Sequence, residues 1–156
     1  MIADSSVLIL LAKINQLHLF YRLYPKIIIP KEVKEEILIP EKEGYLKIQE
    51  ALEKKNLIVK TPSSNNDFGL GKGENAVLNL AMESKDSVIM DDRAAISKAK
   101  TLGIRYIRTT DLASQALKRG YLNKNEAKLF IDNLIKAGSY ISPNIYIEII
   151  HKLDKY

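Results

Sequence analysis

The chain contains no cysteine and only two histidines among its 156 residues. Without cysteine it forms no disulfide framework and no thiolate metal site, which is compatible with a reducing cytosol. His18 and His151 lie on predicted helices far from the acidic residues described below, so we assign neither a role as a metal ligand. A metal site in this chain would be built from oxygen ligands, which favours a hard divalent cation such as Mg²⁺ or Mn²⁺.

Long apolar runs are also missing. The run over residues 7–12 is too short for a membrane span or a signal sequence, and no basic segment precedes it. We therefore expect a cytoplasmic protein with no membrane partner. With seven glycines, five prolines and 46% apolar residues, the composition is that of a compact globular protein. The length predicts a single domain over residues 1–156.

The charge balance is basic, with 24 basic and 19 acidic residues and a formal net charge of +5. This total includes any carboxylates that a bound cation would neutralise, so the remaining surface is more basic than the net charge indicates. An excess of basic residues favours attraction to the phosphate backbone of a nucleic acid. A modest lysine excess also occurs where it only maintains solubility.

Short β-branched segments alternate with amphipathic segments along the chain. The predicted strands cover residues 2–3, 26–29, 57–59, 87–90 and 104–107. The predicted helices cover residues 5–13, 15–23, 31–38, 44–55, 73–84, 91–102, 111–119, 123–137 and 143–152. The one long loop-like segment, residues 61–72, is predicted to be a mobile flap over the site. Repeated strand–helix units predict a mostly parallel sheet covered by helices on both faces.

Acidic residues stand where the predicted strands end or the following helices begin. They are Asp4, Glu36, Glu74, Asp91 and Asp92. In an open parallel sheet, the carboxyl ends of neighbouring strands face one crevice, so acids far apart in sequence come together there. Unscreened carboxylates repel one another, and a cation relieves that repulsion. The pattern therefore predicts a divalent metal site of the kind that positions phosphate for hydrolysis.

Each acid alone also has a structural explanation. Asp is a favoured helix cap, and an acid in the first helical turn is stabilised by the helix dipole by about 0.3–1 kcal/mol. Four caps, however, need not share one crevice. Two consecutive acids, Asp91 and Asp92, also exceed what one cap requires, so one of them would cap a helix while the other binds metal.

Four segments in order resemble the PIN-domain family of small metal-dependent nucleases, which includes VapC-like toxins, and within it the archaeal and bacterial VapC-related branch. Residues 4–9, Asp-Ser-Ser-Val-Leu-Ile, are similar to the family's opening aspartate and apolar helix. Residues 30–37 resemble its proline, valine and glutamate signature, and residues 73–77 resemble the branch's Gly-Glu-x-Ala helix start. Residues 88–95 resemble its apolar strand followed by Asp-Asp-Arg. The resemblance covers nearly the whole chain.

The resemblance implies a PIN-like three-layer α/β sandwich and a ribonuclease that binds one or two Mg²⁺ or Mn²⁺ ions. It implies a catalytic set of Asp4, Glu36, Glu74 and Asp92, with Asp4, Glu74, Asp91 and Asp92 as metal ligands. Two alignments stay open, since Glu35 fits in place of Glu36 and Asp91 in place of Asp92. The expected reaction is hydrolysis by a metal-activated water, and no side-chain nucleophile is required.

Several other residues stand close to these motifs. Ser5 or Ser6 would orient a phosphate or a water, or would only cap the first helix. Thr109 follows the last strand, where family members carry small or hydroxyl residues near the site, and Asp111 is expected to cap a helix. The branch often has a basic residue where this chain has Ile96, which removes one expected phosphate contact.

The expected partners are an RNA substrate, an antitoxin protein if the chain is a toxin, and a second copy in a homodimer. Tyr140, Tyr146 and Tyr156 cluster near the C-terminus, where they would stack on bases or form a dimer surface. The alternative function is that of a catalytically weak PIN-like module that binds nucleic acid or protein, because the basic surface would persist without metal chemistry.

Overall fold

A computed structural model describes all 156 residues. The strands are β1 (Ile2–Ala3), β2 (Ile27–Pro30), β3 (Leu57–Lys60), β4 (Val88–Ile89) and β5 (Tyr106–Ile107). The first helices are α1 (Ser5–Lys13), α2 (Leu17–Leu23), α3 (Lys31–Ile37), α4 (Tyr45–Glu53) and α5 (Lys72–Ser84). The remaining helices are α6 (Arg93–Thr101), α7 (Asp111–Lys118), α8 (Lys124–Lys136) and α9 (Pro143–Asp154). Every predicted element is present, and the predicted fold class is confirmed.

The five strands form one parallel sheet in the order β3-β2-β1-β4-β5. The strand β1 is central and pairs with β2 through Ile2 and Ile28, and with β4 through Ile2 and Val88. The strands β1 and β2 are completely apolar and buried. Such continuous burial is typical of parallel strands that are covered on both faces.

The direction of the chain through the sheet reverses beside β1. From β1 the chain moves outward to β2 and β3, and α5 then returns it to β4 on the other side of β1. The backbone N–H of Asp4 donates to the carbonyl of Ile89 over 3.2 Å, so the carboxyl ends of β1 and β4 are held side by side. A crevice is expected at the carboxyl ends of two such strands, which is the usual ligand position in this class of sheet.

The helices enclose the sheet and share its core. The helix α5 packs against β1, β2 and β4, while α7, α8 and α9 pack on one another and α7 also contacts α2. Thirty-six buried residues form one hydrophobic cluster. No helix combines the length and the hydropathy that crossing a lipid bilayer requires.

The segment over residues 61–71 differs from its prediction as a mobile flap. The side chain of Asn79 accepts hydrogen bonds from the backbone and side chain of Asn66, and Asn75 accepts one from the backbone of Phe68. The backbone and hydroxyl of Ser64 both donate to Glu83. The flap prediction is wrong because polar residues on α5 satisfy the backbone of this segment and hold it along the helix.

Candidate active site

Asp4 follows the central strand and is almost completely buried, with 2% of its surface exposed. Its Oδ2 accepts a hydrogen bond of 2.7 Å from the hydroxyl of Ser6. Its Oδ1 is buried and has no hydrogen-bond partner. Although Asp4 occupies the N-cap position of α1, its side chain makes no capping hydrogen bond. The capping explanation therefore fails for Asp4, and a buried charged oxygen without a partner needs another explanation.

The surroundings of Asp4 disfavour its ionised form. Burial is the main cause that raises the pKa of this carboxyl, and the hydrogen bond from Ser6 opposes the rise. The negative charges of Glu74 and Glu36 raise the pKa further, so these two side chains lie near enough to act on Asp4 electrostatically. The helices α3 and α5 thus each bring one acid within electrostatic range of Asp4, which follows β1. Concentrated negative charge in a buried place is relieved by a cation.

Glu36 lies on the half-buried side of α3, next to α5. A Cβ atom added to Gly73 would stand 2.6 Å from Oε1 and 2.8 Å from Oε2 of Glu36. Only glycine leaves this space for the carboxylate. Glu35 is exposed and forms a salt bridge of 3.6 Å with Lys31. Of the two glutamates that the sequence left open, Glu36 therefore faces the crevice and Glu35 faces solvent.

Glu74 stands in the first turn of α5, and its carboxylate folds back over Gly71. A Cβ atom added to Gly71 would collide with Oε2 of Glu74. The Gly-Lys-Gly-Glu segment therefore makes room for two carboxylates, since Gly71 accommodates Glu74 and Gly73 accommodates Glu36. The N-terminus of α5 also stabilises the charge of Glu74.

The side chains of Asp91 and Asp92 have different partners, since Asp92 caps a helix and Asp91 does not. The Oδ1 of Asp92 accepts a hydrogen bond of 2.8 Å from the backbone N–H of Ala95 and caps α6. Asp91 accepts from the backbone N–H of Thr109 over 3.0 Å and from its hydroxyl over 2.6 Å. Asp91 thereby joins the carboxyl ends of β4 and β5.

The predicted metal-ligand set of Asp4, Glu74, Asp91 and Asp92 is not assembled in this structure. No group of three or more Asp, Glu, His or Cys side chains stands close enough together to hold a metal ion. The physical reason is that Asp91 and Asp92 are held by other partners, Asp91 by Thr109 and Asp92 by the backbone of α6. Asp91 and Asp92 line a cavity of about 600 Å³ together with Ser6, the residue that hydrogen-bonds Asp4.

The donor atoms around Asp4 have the chemistry that a hard divalent cation prefers, although no three carboxylates stand close enough together to hold one. The nearby donors are carboxylates, the chain offers no thiolate, and Oδ1 of Asp4 is buried without a partner. Glu32 stands one turn before Glu36 on α3 and also has a buried, unpartnered carboxylate oxygen. Oxygen-only donor sets are those that Mg²⁺ and Mn²⁺ prefer.

Two hydroxyl residues are more important to this geometry than the sequence indicated. Ser6 holds the carboxylate of Asp4, and the buried Thr109 holds that of Asp91. The sequence signals were a serine two residues after the first aspartate and a threonine two residues after the last strand. Asp111 does not cap α7 with its side chain as predicted; it accepts from the backbone N–H of Arg108 instead.

Replacing Thr109 with valine is expected to lower the melting temperature. Thr109→Val keeps the shape of the side chain but removes the hydroxyl donor to Asp91, and a hydrogen bond to a charged group contributes roughly 1.5–3 kcal/mol. In a domain of this size that loss corresponds to roughly 3–12 °C. The control is Thr110→Val, since the hydroxyl of Thr110 makes no hydrogen bond. Equal melting temperatures for the two variants would show that the bond to Asp91 contributes nothing to stability.

A family model described as a PIN domain matches residues 1–155 of the chain. No curated protein matches the chain, and neither does any solved structure.

Proposed function

Since the chain belongs to the PIN-domain family, whose members have a nuclease-type fold, we propose that it is a metal-dependent ribonuclease that hydrolyses RNA phosphodiester bonds at the crevice around Asp4. The observation that carries the proposal is the buried carboxylate of Asp4, with one oxygen unpartnered and with Glu36 and Glu74 beside it. A buried group of carboxylates costs stability without a cation. Such a cost is typical of a functional site.

Asp4, Glu36 and Glu74 would hold the cation, with Asp91 or Asp92 approaching from the end of β4. When bound, Mg²⁺ or Mn²⁺ supplies positive charge beside the scissile phosphate and lowers the pKa of a water molecule. Residues of the chain meet the other requirements of the reaction. Ser6 keeps Asp4 directed into the crevice.

A proton acceptor is also available in the crevice. Hydrolysis requires a group that takes a proton from the attacking water. A carboxylate of the crevice that does not bind the cation would take this proton. The attacking atom comes from water, so no serine or threonine of the crevice needs to act as a nucleophile.

The test is cleavage of a mixed pool of single-stranded and structured RNA by the purified protein in Mn²⁺, in Mg²⁺ and in EDTA. We expect cutting that requires the divalent ion. The control is Asp4→Asn prepared identically, because a contaminating nuclease would cut equally in both preparations. Metal-dependent cutting that persists in the variant would contradict the proposal, since it comes either from a contaminating nuclease or from a site that does not use Asp4. RNA retention without any cutting would favour the alternative function, a PIN-like module that only binds nucleic acid.

Glu36→Gln is expected to reduce metal-dependent cleavage by at least about tenfold, while Glu35→Gln is expected to leave it within about twofold. Glu36 faces Asp4 and Gly73, whereas Glu35 is exposed and pairs with Lys31. Removing an outer partner of a metal site already costs about 10–100-fold, and an exposed salt bridge contributes little. The measurement is the initial rate of each variant on one RNA substrate. Equal losses in both variants would contradict the assignment of Glu36.

The resemblance to VapC-like toxins carries three further predictions. They are a toxin role with an antitoxin that blocks the crevice, a homodimer and a cytoplasmic location. Size-exclusion chromatography with light scattering tests the homodimer. Growth arrest on expression, dependent on Asp4, tests the toxin role.

A further inference from the structure

A second region beside the acidic crevice has the chemistry of a nucleic-acid site. The cavity of about 600 Å³ that contains Ser6, Asp91 and Asp92 extends to Arg93 and to Tyr140 on the loop between α8 and α9. A smaller cavity of about 90 Å³ shares Asp91, Arg93 and Tyr140 with it and adds Arg108. The larger volume lies in the range of about 300–1,000 Å³ that is typical of small-ligand pockets.

Tyr140 is an exposed residue on the loop that follows α8. The side chain is 81% exposed, the highest value among the large exposed apolar and aromatic residues of the chain. Gly138 has a φ of +103°, its N–H donates to Ile135, and the N–H of Ser139 donates to Leu134. These two bonds form a Schellman motif, which ends α8 and sets the direction of the next residues. Tyr140 follows this motif directly, and its side chain is open to solvent.

Two arginines line the same region without a partner in the protein. Arg93 and Arg108 are exposed, and neither guanidinium group forms a salt bridge or a side-chain hydrogen bond. Lys13 also lines the larger cavity, but it pairs with Glu43 over 3.3 Å. An exposed ring that lines the same cavity as two unpaired guanidinium groups provides one surface for a base and two donors for phosphates.

We infer that the cavity between the start of α6 and the α8–α9 loop binds a nucleotide of single-stranded RNA next to the scissile phosphate, with its base stacked on Tyr140 and its flanking phosphates bound by Arg93 and Arg108. The inference rests on the proposed ribonuclease function and adds the residues that would contact the strand beside the scissile phosphate. A base within a duplex is stacked on its neighbours and cannot lie on the ring.

The test is equilibrium binding of a fluorescent single-stranded RNA in EDTA, where metal-dependent cleavage does not occur. We expect Tyr140→Ala to weaken binding by about tenfold, in the range of one lost base–aromatic stack. Tyr140→Phe keeps the ring and should bind as the wild type does. The matched control is Tyr156→Ala, since Tyr156 is also exposed but lies against Lys118 and lines neither cavity. Arg93→Gln and Arg108→Gln should each reduce the slope of log affinity against log salt by about 0.7, the value for one phosphate contact to a single strand.

Unchanged binding by Tyr140→Ala would overturn the inference, as would equal affinity of the wild type for duplex RNA of the same sequence. No binding of single-stranded RNA at low salt would overturn it too. The proposed function is tested separately, by measuring RNA cleavage in Mn²⁺. If the wild type cuts while Tyr140→Ala binds and cuts equally well, the nucleotide site is wrong and the ribonuclease stands. If binding depends on Tyr140 and nothing is cut, the site stands and the ribonuclease is wrong.

Discussion

Asp4→Asn is expected to reduce metal-dependent RNA cleavage by more than about a hundredfold while leaving the fold intact. The substitution keeps the size of the side chain and removes its charge. Mutating an outer partner of a metal ligand costs about 10–100-fold, and loss of a ligand at the centre of the crevice should cost more. Asp4 is the acid on which Glu36 and Glu74 both act. Initial rates in Mn²⁺, with circular dichroism as the control for folding, provide the measurement.

The same variant is expected to melt at a higher temperature than the wild type when no divalent metal is present. The raised pKa of Asp4 means that the folded protein binds its proton more readily than the unfolded chain does. The contribution of Asp4 to stability is therefore complete below the ordinary carboxyl pKa, about 4, and is lost as the pH rises through the raised value. The asparagine of the variant does not ionise, so the variant does not lose this stability as the pH rises. Each kcal/mol of stability gained would raise the melting temperature by about 2–4 °C.

The dependence of the melting temperature on pH and on Mn²⁺ distinguishes this explanation from an unrelated stabilisation. The difference in melting temperature between Asp4→Asn and the wild type should be largest near neutral pH and should narrow as the pH falls toward about 4. Millimolar Mn²⁺ should raise the melting temperature of the wild type and not that of the variant, because only the wild type binds the ion in its folded state. A variant that melts lower than the wild type at every pH would contradict the conclusion that the charge of Asp4 destabilises the folded protein.

Gly73→Ala is expected to reduce cleavage by about ten- to a hundredfold without loss of stability. The new methyl group would stand within 3 Å of the carboxylate of Glu36. The carboxylate, at the end of a flexible side chain, moves more easily than the backbone, so Glu36 should leave its position near Asp4. A displacement of about 1 Å at an active site can cost about a hundredfold in rate. Alanine in place of a helical glycine otherwise adds up to about 1 kcal/mol of stability.

A double-mutant cycle tests whether Gly73→Ala acts through Glu36. Glu36→Ala removes the atoms that the new methyl group would meet. If the effect passes through Glu36, adding Gly73→Ala to Glu36→Ala should cost less than about twofold in rate, although Gly73→Ala alone costs at least tenfold. Additive losses would show that the glycine matters for another reason, such as the path of the backbone at the start of α5. Thermal melting of all four proteins controls for unfolding.

Much of the fold was predictable because its signals are local. The strands β1, β2 and β4 are short apolar runs, and the amphipathic helices show their buried faces at helical spacing. The differences are at element ends. The last strand was predicted over residues 104–107 and is only Tyr106–Ile107. Its apolar residues are partly buried whether or not they pair, so hydropathy alone does not mark where the ladder of hydrogen bonds begins.

The acids of the site were predictable as a group, but their individual roles were not. Helical spacing places Glu36 on the same side of α3 as Val33 and Ile37, so its inward direction is a local property. Whether an aspartate at a strand end caps a helix depends on side-chain rotation that the sequence does not show. Asp92 caps and Asp4 does not, although both occupy N-cap positions.

By itself the sequence determined the order of strands and helices, the oxygen-only donor chemistry and the family resemblance, because these depend on residue type and on spacing within a few turns. Only the tertiary structure decided that Gly73 accommodates Glu36, that Thr109 holds Asp91, and that Tyr140 stands at the edge of the same cavity as Arg93. Each of these relations joins residues from different elements, separated by 18 positions between Asp91 and Thr109 and by more in the other two pairs. Such contacts depend on how helices pack across the sheet, which no local pattern encodes.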